Sequence, residues 1–444
     1  MPTPSDSIWD MIIIGGGPAG SLAAIEASRR GRSAIILEKL AFPRFHVGES
    51  FLPSTLDLLK KMGLEPAFRA IPHTRKFGAE FAMGHGGLPL EIDFAEGYCD
   101  GKEAFNVERS IFDNMLLRES EKAGTTVREN VTVKQISKLE DGDVRVMTDS
   151  GEEIRGKFLL DASGQGTVIG RHLGTRVPVS DPRLQKVAYA GHFEKVKLAG
   201  GKKAGNPVIV MMEEGWFWLI PLTETKTSVG MVLDTASARR IMQEENVAAD
   251  RMLQWGIARC PVMRDRMTDA TGKETNITVA DFSYKCEPYA GKGYFLIGDS
   301  AAFMDPIFST GVCVAAKEAM SAVGLVDDIL KNKIKPERAR QIYIRQVEQA
   351  TMVFFKLIRQ YYDHSFRELF MMGKGPVSVH RALIGLLAGN VFPKTPWKIR
   401  WRTRVFDYLV EVNRKRQIVP RRKRFSLFKS AVPPMPSVAA AVSS

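Results

Sequence analysis

The residues that point most directly to chemistry form a glycine cluster near the start of the chain. Gly15, Gly17 and Gly20 follow a short apolar run and open a helical pattern. A strand that turns through such glycines into a helix brings backbone N–H groups and the positive helix end close to a pyrophosphate. Ala19 lies in the same turn, and Glu38, which ends the next apolar run, can accept from ribose hydroxyls. The pattern predicts a dinucleotide site.

Two aspartates and an arginine extend this prediction. Asp161 begins Asp-Ala-Ser-Gly and Asp299 lies in Gly-Asp-Ser, each after a buried strand-like run. An aspartate in that position can bind ribityl or ribose hydroxyls. Arg109 offers a guanidinium to a pyrophosphate or to the flavin side. The set indicates FAD rather than NAD, although Asp299 as a helix cap and Arg109 as a surface residue are alternatives.

These residues need a scaffold, and the apolar periodicity supplies one. Residues 10–15, 18–30 and 33–38 predict strand, helix and strand, the opening of a parallel sheet. A helix is expected at 107–123 and another from about 311 to 331. We therefore predict an α/β (α+β) fold with a Rossmann-like FAD-binding domain, an inserted antiparallel-sheet substrate domain and a helical C-terminal region. The expected segments are 1–74, 106–180 and 286–332 for the FAD-binding domain, 75–105 and 181–285 for the substrate-domain sheet, 333–430 for the helical region with its basic segment, and 431–444 for a disordered tail.

Composition excludes several classes of protein. The chain has 444 residues, 44% of them hydrophobic and 25% charged, which is typical of a globular protein with a sizeable core. Its four cysteines show no CxxC spacing, so we expect no metal site or disulfide framework and a reducing, cytoplasmic location. No stretch offers ~20 consecutive apolar residues, so no membrane span is expected.

The net charge of +13 is concentrated near the C-terminus. Residues 398–429 contain twelve lysines and arginines against only Asp407 and Glu411. A basic segment on a nearly neutral body favours a local docking surface over general nucleic-acid binding. An acidic carrier protein, an anionic membrane surface, an acidic small substrate and a solvated segment without a partner all stay open.

Four further segments identify a resemblance. Residues 216–221 (Trp-Phe-Trp-Leu-Ile-Pro) match the WxWxIP signature of flavin-dependent halogenases, and residues 303–311, which include Pro306, match their FxxPxxSxG signature. Residues 42–50 resemble the stretch beside the flavin in the phenol and pyrrole branch, and Lys76 sits where the family keeps its essential lysine. Phe308 replaces the glutamate that halogenases of free tryptophan place before Ser-Thr-Gly. The chain thus resembles the phenol and pyrrole branch, within the p-hydroxybenzoate hydroxylase-type FAD superfamily.

The resemblance implies a reaction. Reduced FAD and oxygen form a C4a-hydroperoxide, which a chloride or bromide attacks to give hypohalous acid. The backbone N–H groups of Thr310 and Gly311, at a turn entering a helix, would hold the halide. Lys76 would relay the hypohalous acid to an electron-rich phenolic or pyrrolic ring, free or tethered to a carrier protein. A separate flavin reductase would supply FADH2.

The resemblance also assigns the remaining site residues. Arg44 and Ser50 would lie beside the flavin, and Glu49 would be catalytic. Trp216 and Trp218 would keep the aromatic substrate away from the flavin, although ordinary core packing is the alternative for both. For Lys76, a solvated strand face is the alternative.

A base near the ring is expected as well, but the sequence does not locate it. His46, His73 and Asp113 are candidates by residue type alone.

Three other functions stay open from sequence alone. An FAD-dependent aromatic hydroxylase would consume NADPH and need no halide. A saturase of the geranylgeranyl reductase type would take a lipid and have no use for Lys76. A flavin-binding sensor or inactive relative would be unaffected by the loss of Lys76.

Overall fold

The computed structural model describes residues 8–99, 101–272, 277–279, 283–392 and 394–429. Within these ranges, none of the helices combines the length and the apolar character that crossing a bilayer requires. The predicted disorder of 431–444 concerns residues outside the described ranges.

The strands and helices are numbered in chain order. The strands are β1 Ile8–Ile14, β2 Ala34–Leu37, β3 Thr74–Lys76, β4 Gly78–Met83, β5 Leu90–Asp93, β6 Ala104–Asn106, β7 Thr126–Arg128, β8 Val133–Glu140, β9 Asp143–Thr148, β10 Glu153–Asp161, β11 Arg176–Pro178, β12 Lys186–Glu194, β13 Val208–Met211, β14 Gly215–Pro221, β15 Lys226–Asp234, β16 Ile277–Val279, β17 Tyr284–Cys286, β18 Ala290–Gly291, β19 Tyr294–Leu296 and β20 Ala302–Phe303. The helices are α1 Pro18–Arg29, α2 Pro53–Lys61, α3 Glu65–Arg69, α4 Arg109–Lys122, α5 Val168–His172, α6 Thr235–Glu244, α7 Met252–Arg259, α8 Pro261–Arg266, α9 Gly311–Leu330, α10 Pro336–Tyr361, α11 His364–Phe370, α12 Val379–Leu387 and α13 Trp397–Arg416.

The first sheet confirms the predicted βαβ opening. Its central order is β18-β19-β10-β1-β2-β7, and the pairs from β19 to β7 are parallel. β1 and β2 are apolar and largely buried, as strands covered on both faces should be. Because parallel strands end at one edge of a sheet, Ile14, Leu37, Asp161 and Leu296 come together there. That edge carries the glycine turn and both predicted aspartates.

The second sheet has the order β16-β12-β15-β14-β13-β4-β5. The predicted antiparallel pairing is correct except between β13 and β4, which run parallel. These two strands come from separate insertions, so no hairpin fixes their relative direction. Residues 181–285, predicted as part of the substrate-domain sheet, also contain the helices α6, α7 and α8. There, apolar residues such as Ala238 and Ile241 recur at helical spacing and pack on the sheet.

The two faces of this second sheet have different partners. Phe217 faces α6, α7 and α8, together with Phe425 and Leu427. Trp216 and Trp218 face the opposite way, into a cluster with Phe308 and apolar residues of α10 to α13. The predicted helical C-terminal region is therefore confirmed, and its helices cover the tryptophan face. On this topology we propose the same division into domains that the sequence suggests.

Candidate functional site

The glycine turn joins β1 to α1 in tight surroundings. Gly15 has φ +100°, and a Cβ there would lie 2.4 Å from the carbonyl oxygen of Ala162. A Cβ on Gly20 would lie 1.9 Å from the carbonyl oxygen of Gly15. Gly17, by contrast, is open, because its Cβ would meet only Arg44 Nη2 at 3.3 Å. The glycines at 15 and 20 are needed for the turn itself, whereas Gly17 leaves its backbone accessible to a ligand.

The edge of this turn has features that suit an anionic, hydroxyl-bearing ligand. Helix α1 follows directly after Gly17, and its N-terminus has no side-chain cap and no acidic residue in the first turn. Arg44 Nη1 is buried, 3.4 Å from Asp113, and no hydrogen-bond partner for it occurs in the part of the chain that the structure describes. Glu38 accepts from the backbone N–H of Gly16 over 2.7 Å, which fixes its carboxylate beside the turn. These residues fit a dinucleotide such as FAD: an orphaned guanidinium donor and a helix end for the pyrophosphate, and a carboxylate for the ribose.

Arg109 holds the loop 42–50 in place. Its guanidinium binds both oxygens of Asp113, over 2.7 and 3.0 Å, and donates to the carbonyl of Val47 over 3.1 Å. Gly48 approaches closely enough that a Cβ would lie 3.0 Å from Arg109 Nη1. Asp113 is thereby occupied, which removes it as a candidate base. We assign Arg109 the positioning of this loop.

The two predicted aspartates are in different situations. Asp161 accepts from the backbone N–H groups of Ser163 and Ile169, over 3.0 and 2.7 Å, and so shapes the loop beside Gly15. Asp299 makes no side-chain hydrogen bond within the described ranges, and burial raises the pKa of its carboxyl to about 6. Its Oδ1 would be 3.9 Å from a Cβ on Gly311, so it faces the start of α9. Asp299 is thus the aspartate whose carboxylate is free for a ligand hydroxyl.

Lys76 is buried, contrary to the solvated alternative. It ends β3, which pairs with β6, and is 3% exposed. Its Nζ donates to Ser50 Oγ over 2.8 Å and to the carbonyl of Phe51 over 3.1 Å, and lies 5.5 Å from the centre of the Phe94 ring. Burial lowers the pKa of this amine from 10.5 to about 7. A lysine in this state is available as a neutral amine near neutral pH.

The two tryptophans form a fixed aromatic wall. Their ring centres are 5.7 Å apart. Trp218 Nε1 donates to Ser228 Oγ over 3.1 Å, and Trp216 Nε1 to Tyr362 Oη over 3.2 Å. The hydroxyl of Tyr362 in turn donates to Asp305, in the loop before α9. The wall is therefore tied both to the second sheet and to the segment 303–311.

The backbone at the start of α9 has a shape that suits an anion. Ser309 has φ +55° and Thr310 has φ −86°, a left-then-right-handed pair that turns successive N–H groups into one concavity. The 20-residue helix has no side-chain cap and no acid in its first turn. Within the described residues, the N–H groups of Thr310 and Gly311 have no hydrogen-bond acceptor. Such uncommitted donors suit a halide.

One residue was missed from the sequence. His192 Nε2 lies 2.6 Å from Oε1 of the predicted Glu49, which is 1% exposed. The sequence signal that could have indicated His192 is the alternation of β12, in which Ala188, Ala190 and His192 share one face of the strand. His73 instead contacts the carbonyl of Ile71.

The structure thus has a sheet edge that fits a dinucleotide, a buried lysine amine and a pair of fixed indoles, and comparison with known proteins gives the family. A profile of the family described as tryptophan halogenase matches residues 10–100 and 88–369. The chain belongs to this family. It is a flavin-dependent halogenase, with FAD as the flavin and a halide as co-substrate.

Individual relatives give the range of known substrates. The halogenase is 31% identical over 389 residues to a pyrrole-2-carbonyl peptidyl-carrier-protein chlorinase of Pseudomonas fluorescens, spanning 81% of this chain and 84% of that one. It is also 31% identical to tryptophan 2-halogenase of Chondromyces crocatus, spanning 83% and 70%. The structure of the flavin-dependent brominase Bmp2 matches with a TM-score of 0.79 and 26% identity, over 92% of this chain and all of that one.

Within the described residues of the halogenase, no group of three or more His, Cys, Asp or Glu side chains is arranged to hold a metal ion.

Phe308 is buried and packs edge-on against Tyr361, with ring centres 5.8 Å apart. The position before Ser-Thr-Gly therefore belongs to the apolar core between the tryptophan face and α10.

Proposed function

We propose that this halogenase transfers an electrophilic halogen to an electron-rich phenolic or pyrrolic ring, with Lys76 as the residue that relays it. The observation that carries the proposal is the buried Lys76 amine, held by Ser50 in the loop 42–50 and facing Phe94, the residue that follows β5 of the second sheet. A group in that position can meet an oxidised halogen on one side and an aromatic ring on the other. The loop, the lysine and the sheet come from three separate parts of the chain.

FAD, when bound in its reduced form, supplies the activation of oxygen that oxidises a halide to hypohalous acid. Gly17 and Arg44 would hold its pyrophosphate, Glu38 its ribose and Asp299 its ribityl chain, on the contacts described above. Ala19, Ser50 and Pro306 lie in the segments around it. We propose that a separate flavin reductase delivers the reduced cofactor.

The halide would bind at the start of α9. The N–H groups of Thr310 and Gly311 provide partial positive charge without a full counter-charge, so the anion stays reactive. Asp299 lies close to Gly311, so a halide bound there would be next to the edge where we propose the flavin to bind. The same short turn would then serve two ligands.

Lys76 would act on the hypohalous acid in one of two protonation states. As a neutral amine it can attack the halogen and carry it as an N–halogen bond; as an ammonium it can only orient the acid by hydrogen bonding. The pKa of about 7 makes both states accessible, with the neutral amine gaining population as the pH rises. The dependence of rate on pH therefore separates the two roles.

Trp216 and Trp218 would prevent direct hydroxylation. Two indoles fixed by hydrogen bonds to Ser228 and Tyr362 form a barrier that an aromatic substrate cannot displace cheaply. The oxidised halogen is small enough to travel past such a wall, whereas the ring is not. This separation favours halogenation over oxygen transfer to the ring.

A basic stripe on α13 favours a carrier-tethered substrate. Trp397, Arg400, Arg404 and Tyr408 recur at helical spacing, and the two aromatic side chains are 66% and 68% exposed. Within the described ranges, no acidic side chain pairs with either arginine of this stripe. Arg402 lies between these two arginines in sequence but on another side of the helix, with its guanidinium 4.8 Å from the Tyr98 ring. We propose that this basic stripe docks an acidic carrier protein.

The test is a reconstituted reaction. The purified protein would be incubated with FAD, a flavin reductase, NADH, oxygen, a panel of phenols and pyrroles, and chloride or bromide, and products would be examined by mass spectrometry. A halogen isotope doublet that disappears in Lys76→Ala is the expected result. Hydroxylated product without halogen, or an undiminished doublet in Lys76→Ala, would contradict the proposal. Pyrrolyl and tyrosyl groups on an acidic carrier protein form the second panel.

A further inference from the structure

His192 and Trp218 belong to one patch of the second sheet. His192 on β12 pairs directly with Ser228 on β15, and Ser228 accepts the indole hydrogen bond of Trp218. Paired residues of neighbouring strands point to the same face, so the imidazole lies on the tryptophan face of the sheet. Its side chain is 18% exposed. The histidine is therefore partly exposed and belongs to the same sheet face as Trp218.

Glu49 fixes this imidazole from the opposite element. Its Oε1 lies 2.6 Å from His192 Nε2, and the carboxylate is almost fully buried. The Phe45 ring packs against the imidazole with a centre-to-centre distance of 5.4 Å. One ring nitrogen is thus committed to a carboxylate, and the other, Nδ1, makes no hydrogen bond within the described residues. A carboxylate–imidazole pair of this kind is a common arrangement of a general base.

The loop 42–50 brings this pair next to Lys76. Glu49 binds His192, and the following residue, Ser50, accepts from Lys76 Nζ over 2.8 Å. Two adjacent residues of one loop therefore hold the two groups that an aromatic halogenation needs: an amine to deliver the halogen and a base to take the proton. Within the described residues, no other histidine bonded to a carboxylate adjoins Lys76 in this way.

We propose that His192 is the base that accepts the proton of the aromatic substrate, with Glu49 as the positioning residue that orients it. The proposal rests on the proposed function, because the halogen must arrive as hypohalous acid or its Lys76 adduct. It goes beyond that function by locating the proton acceptor.

The step balances as follows for a phenol. The O–H proton passes to Nδ1 of His192, and the electron pair of that bond enters the ring. The ring carbon forms a bond to the halogen while the halogen–oxygen bond of hypohalous acid breaks, and the oxygen leaves as hydroxide. The hydroxide takes the displaced ring proton and becomes water, the C–H electron pair returns to the ring to give the halogenated phenolate, and the imidazolium of His192 gives its proton back to that phenolate oxygen. Glu49 stabilises the imidazolium in the meantime.

Other charged residues also act on the pair formed by His192 and Glu49. Glu108 lies near His192 and is ion-paired with Lys226 over 2.8 Å, and Arg109 acts on Glu49 from the base of the loop. The Glu108–Lys226 pair is nearly neutral as a unit. Any change in the pH profile of a His192 variant can therefore be compared with a Glu108→Gln variant, which leaves the imidazole in place.

The experiment compares His192→Gln with the wild-type enzyme in two assays run side by side. One measures halogenation of a phenol, and the other measures release of hypohalous acid with a reactive trap, monochlorodimedone. We expect phenol halogenation to fall by about 100-fold or more while trap halogenation is unchanged. The loss should shrink as the pH approaches the phenol's own pKa of about 10, because the phenolate no longer needs a base. His172→Gln, at an exposed histidine of α5, is the matched control.

Rescue separates chemistry from structure. His192→Gly should regain phenol halogenation in added imidazole, and Glu49→Gln should lower kcat with little change in KM. Equal losses in both assays, or no loss in phenol halogenation, would overturn the proposal, as would failure of imidazole to rescue a folded His192→Gly enzyme. If the wild-type enzyme halogenates neither the phenols nor the trap, the proposed function itself has failed.

Discussion

The Nζ of Lys76 donates to Ser50 Oγ over 2.8 Å, and this bond connects the two-stranded β3–β6 sheet to the end of the loop 42–50. Both residues are buried, so water does not compete for the bond. The Ser50 hydroxyl and the Phe51 carbonyl both accept from the amine, and neither carries a counter-charge. They therefore hold the amine in place without forcing it to stay protonated. The amine is thereby kept both in place and reactive.

Replacing Lys76 should uncouple halide oxidation from ring halogenation. In Lys76→Met, we expect ring halogenation to fall by 100-fold or more while NADH consumption and trapped hypohalous acid persist, because the proposed halide site at α9 is untouched. Lys76→Arg should not restore ring halogenation, since a guanidinium does not lose its proton. Lys202→Met, at an exposed lysine, is the control. A Lys76→Met enzyme that halogenates phenols normally would rule out the relay.

The low pKa of Lys76 should also appear in stability. The folded chain releases the lysine proton near pH 7, whereas the unfolded chain keeps it to about 10.5. The unfolded state therefore binds more protons between these values, and the free energy of unfolding should rise with pH across this window, by about 2 kcal/mol from pH 7 to 9. Lys76→Met removes this contribution, so its unfolding free energy should rise less over the same range. Urea unfolding at pH 7 and 9 measures the difference; equal slopes would contradict the assigned pKa.

The glycine turn offers a test that separates folding from flavin binding. A Cβ on Gly20 would lie 1.9 Å from a backbone oxygen that cannot move without opening the turn, so Gly20→Ala should fail to fold or lose several kcal/mol of stability. A Cβ on Gly17 meets only the flexible end of Arg44, so Gly17→Ala should keep a melting temperature near that of the wild type. Its affinity for FAD, measured by fluorescence quenching, should fall by 10-fold or more. Tight FAD binding by Gly17→Ala would contradict the pyrophosphate assignment.

The sequence predicted the parts of this architecture that depend on local pattern. The run before Gly15, the helix after it and the strand that ends at Glu38 were visible because apolar periodicity and glycines fix such elements locally. The local pattern could not decide between a buried and a solvated Lys76, because β3 is short and its partner β6 belongs to a segment that follows an intervening hairpin. The parallel pairing of β13 with β4 was missed for the same reason.

The base was the part of the site that sequence reasoning could not supply. Glu49 was identified from its motif, but its partner His192 lies 143 residues further along the chain, in a strand without a motif. Ranking histidines by type gave His46 and His73, which contact backbone carbonyls of their own loops. Only the strand register, which places His192 opposite Ser228, reveals the pair.

The start of α9 provides a test of halide binding. Gly311→Asp would place a carboxylate beside the free N–H groups of the first turn, where it would cap the helix and repel an anion. We expect the KM for bromide and for chloride to rise by 10-fold or more. Gly311→Ala is the matched control, because its Cβ would meet only Asp299 Oδ1 at 3.9 Å, and it should change the halide KM little. An unchanged halide KM in Gly311→Asp would exclude this turn as the halide site.

The basic stripe on α13 leads to the last prediction. The double variant Arg400→Glu and Arg404→Glu reverses two charges on an exposed helix face, so the fold should be retained, as circular dichroism and the melting temperature can show. Arg402, between them, contacts Tyr98, and the backbone of Gly97 donates to the carbonyl of Phe94, next to Lys76. A carrier bound on the stripe would therefore sit within a few side chains of the halogen relay.

We expect the double variant to raise the KM for a carrier-tethered pyrrole or phenol by 10-fold or more at low salt and to leave turnover of the free aromatic unchanged. The effect should diminish as salt is added, because exposed charges are screened over about 10 Å at 0.1 M. Charge reversal at Lys202 and Lys203, exposed lysines in the loop between β12 and β13, is the matched control. A carrier KM that is indifferent to the α13 charges would mean that the stripe is solvated and that the substrate arrives by another surface. A raised KM only for the carrier-bound form would identify the substrate as tethered and α13 as its dock.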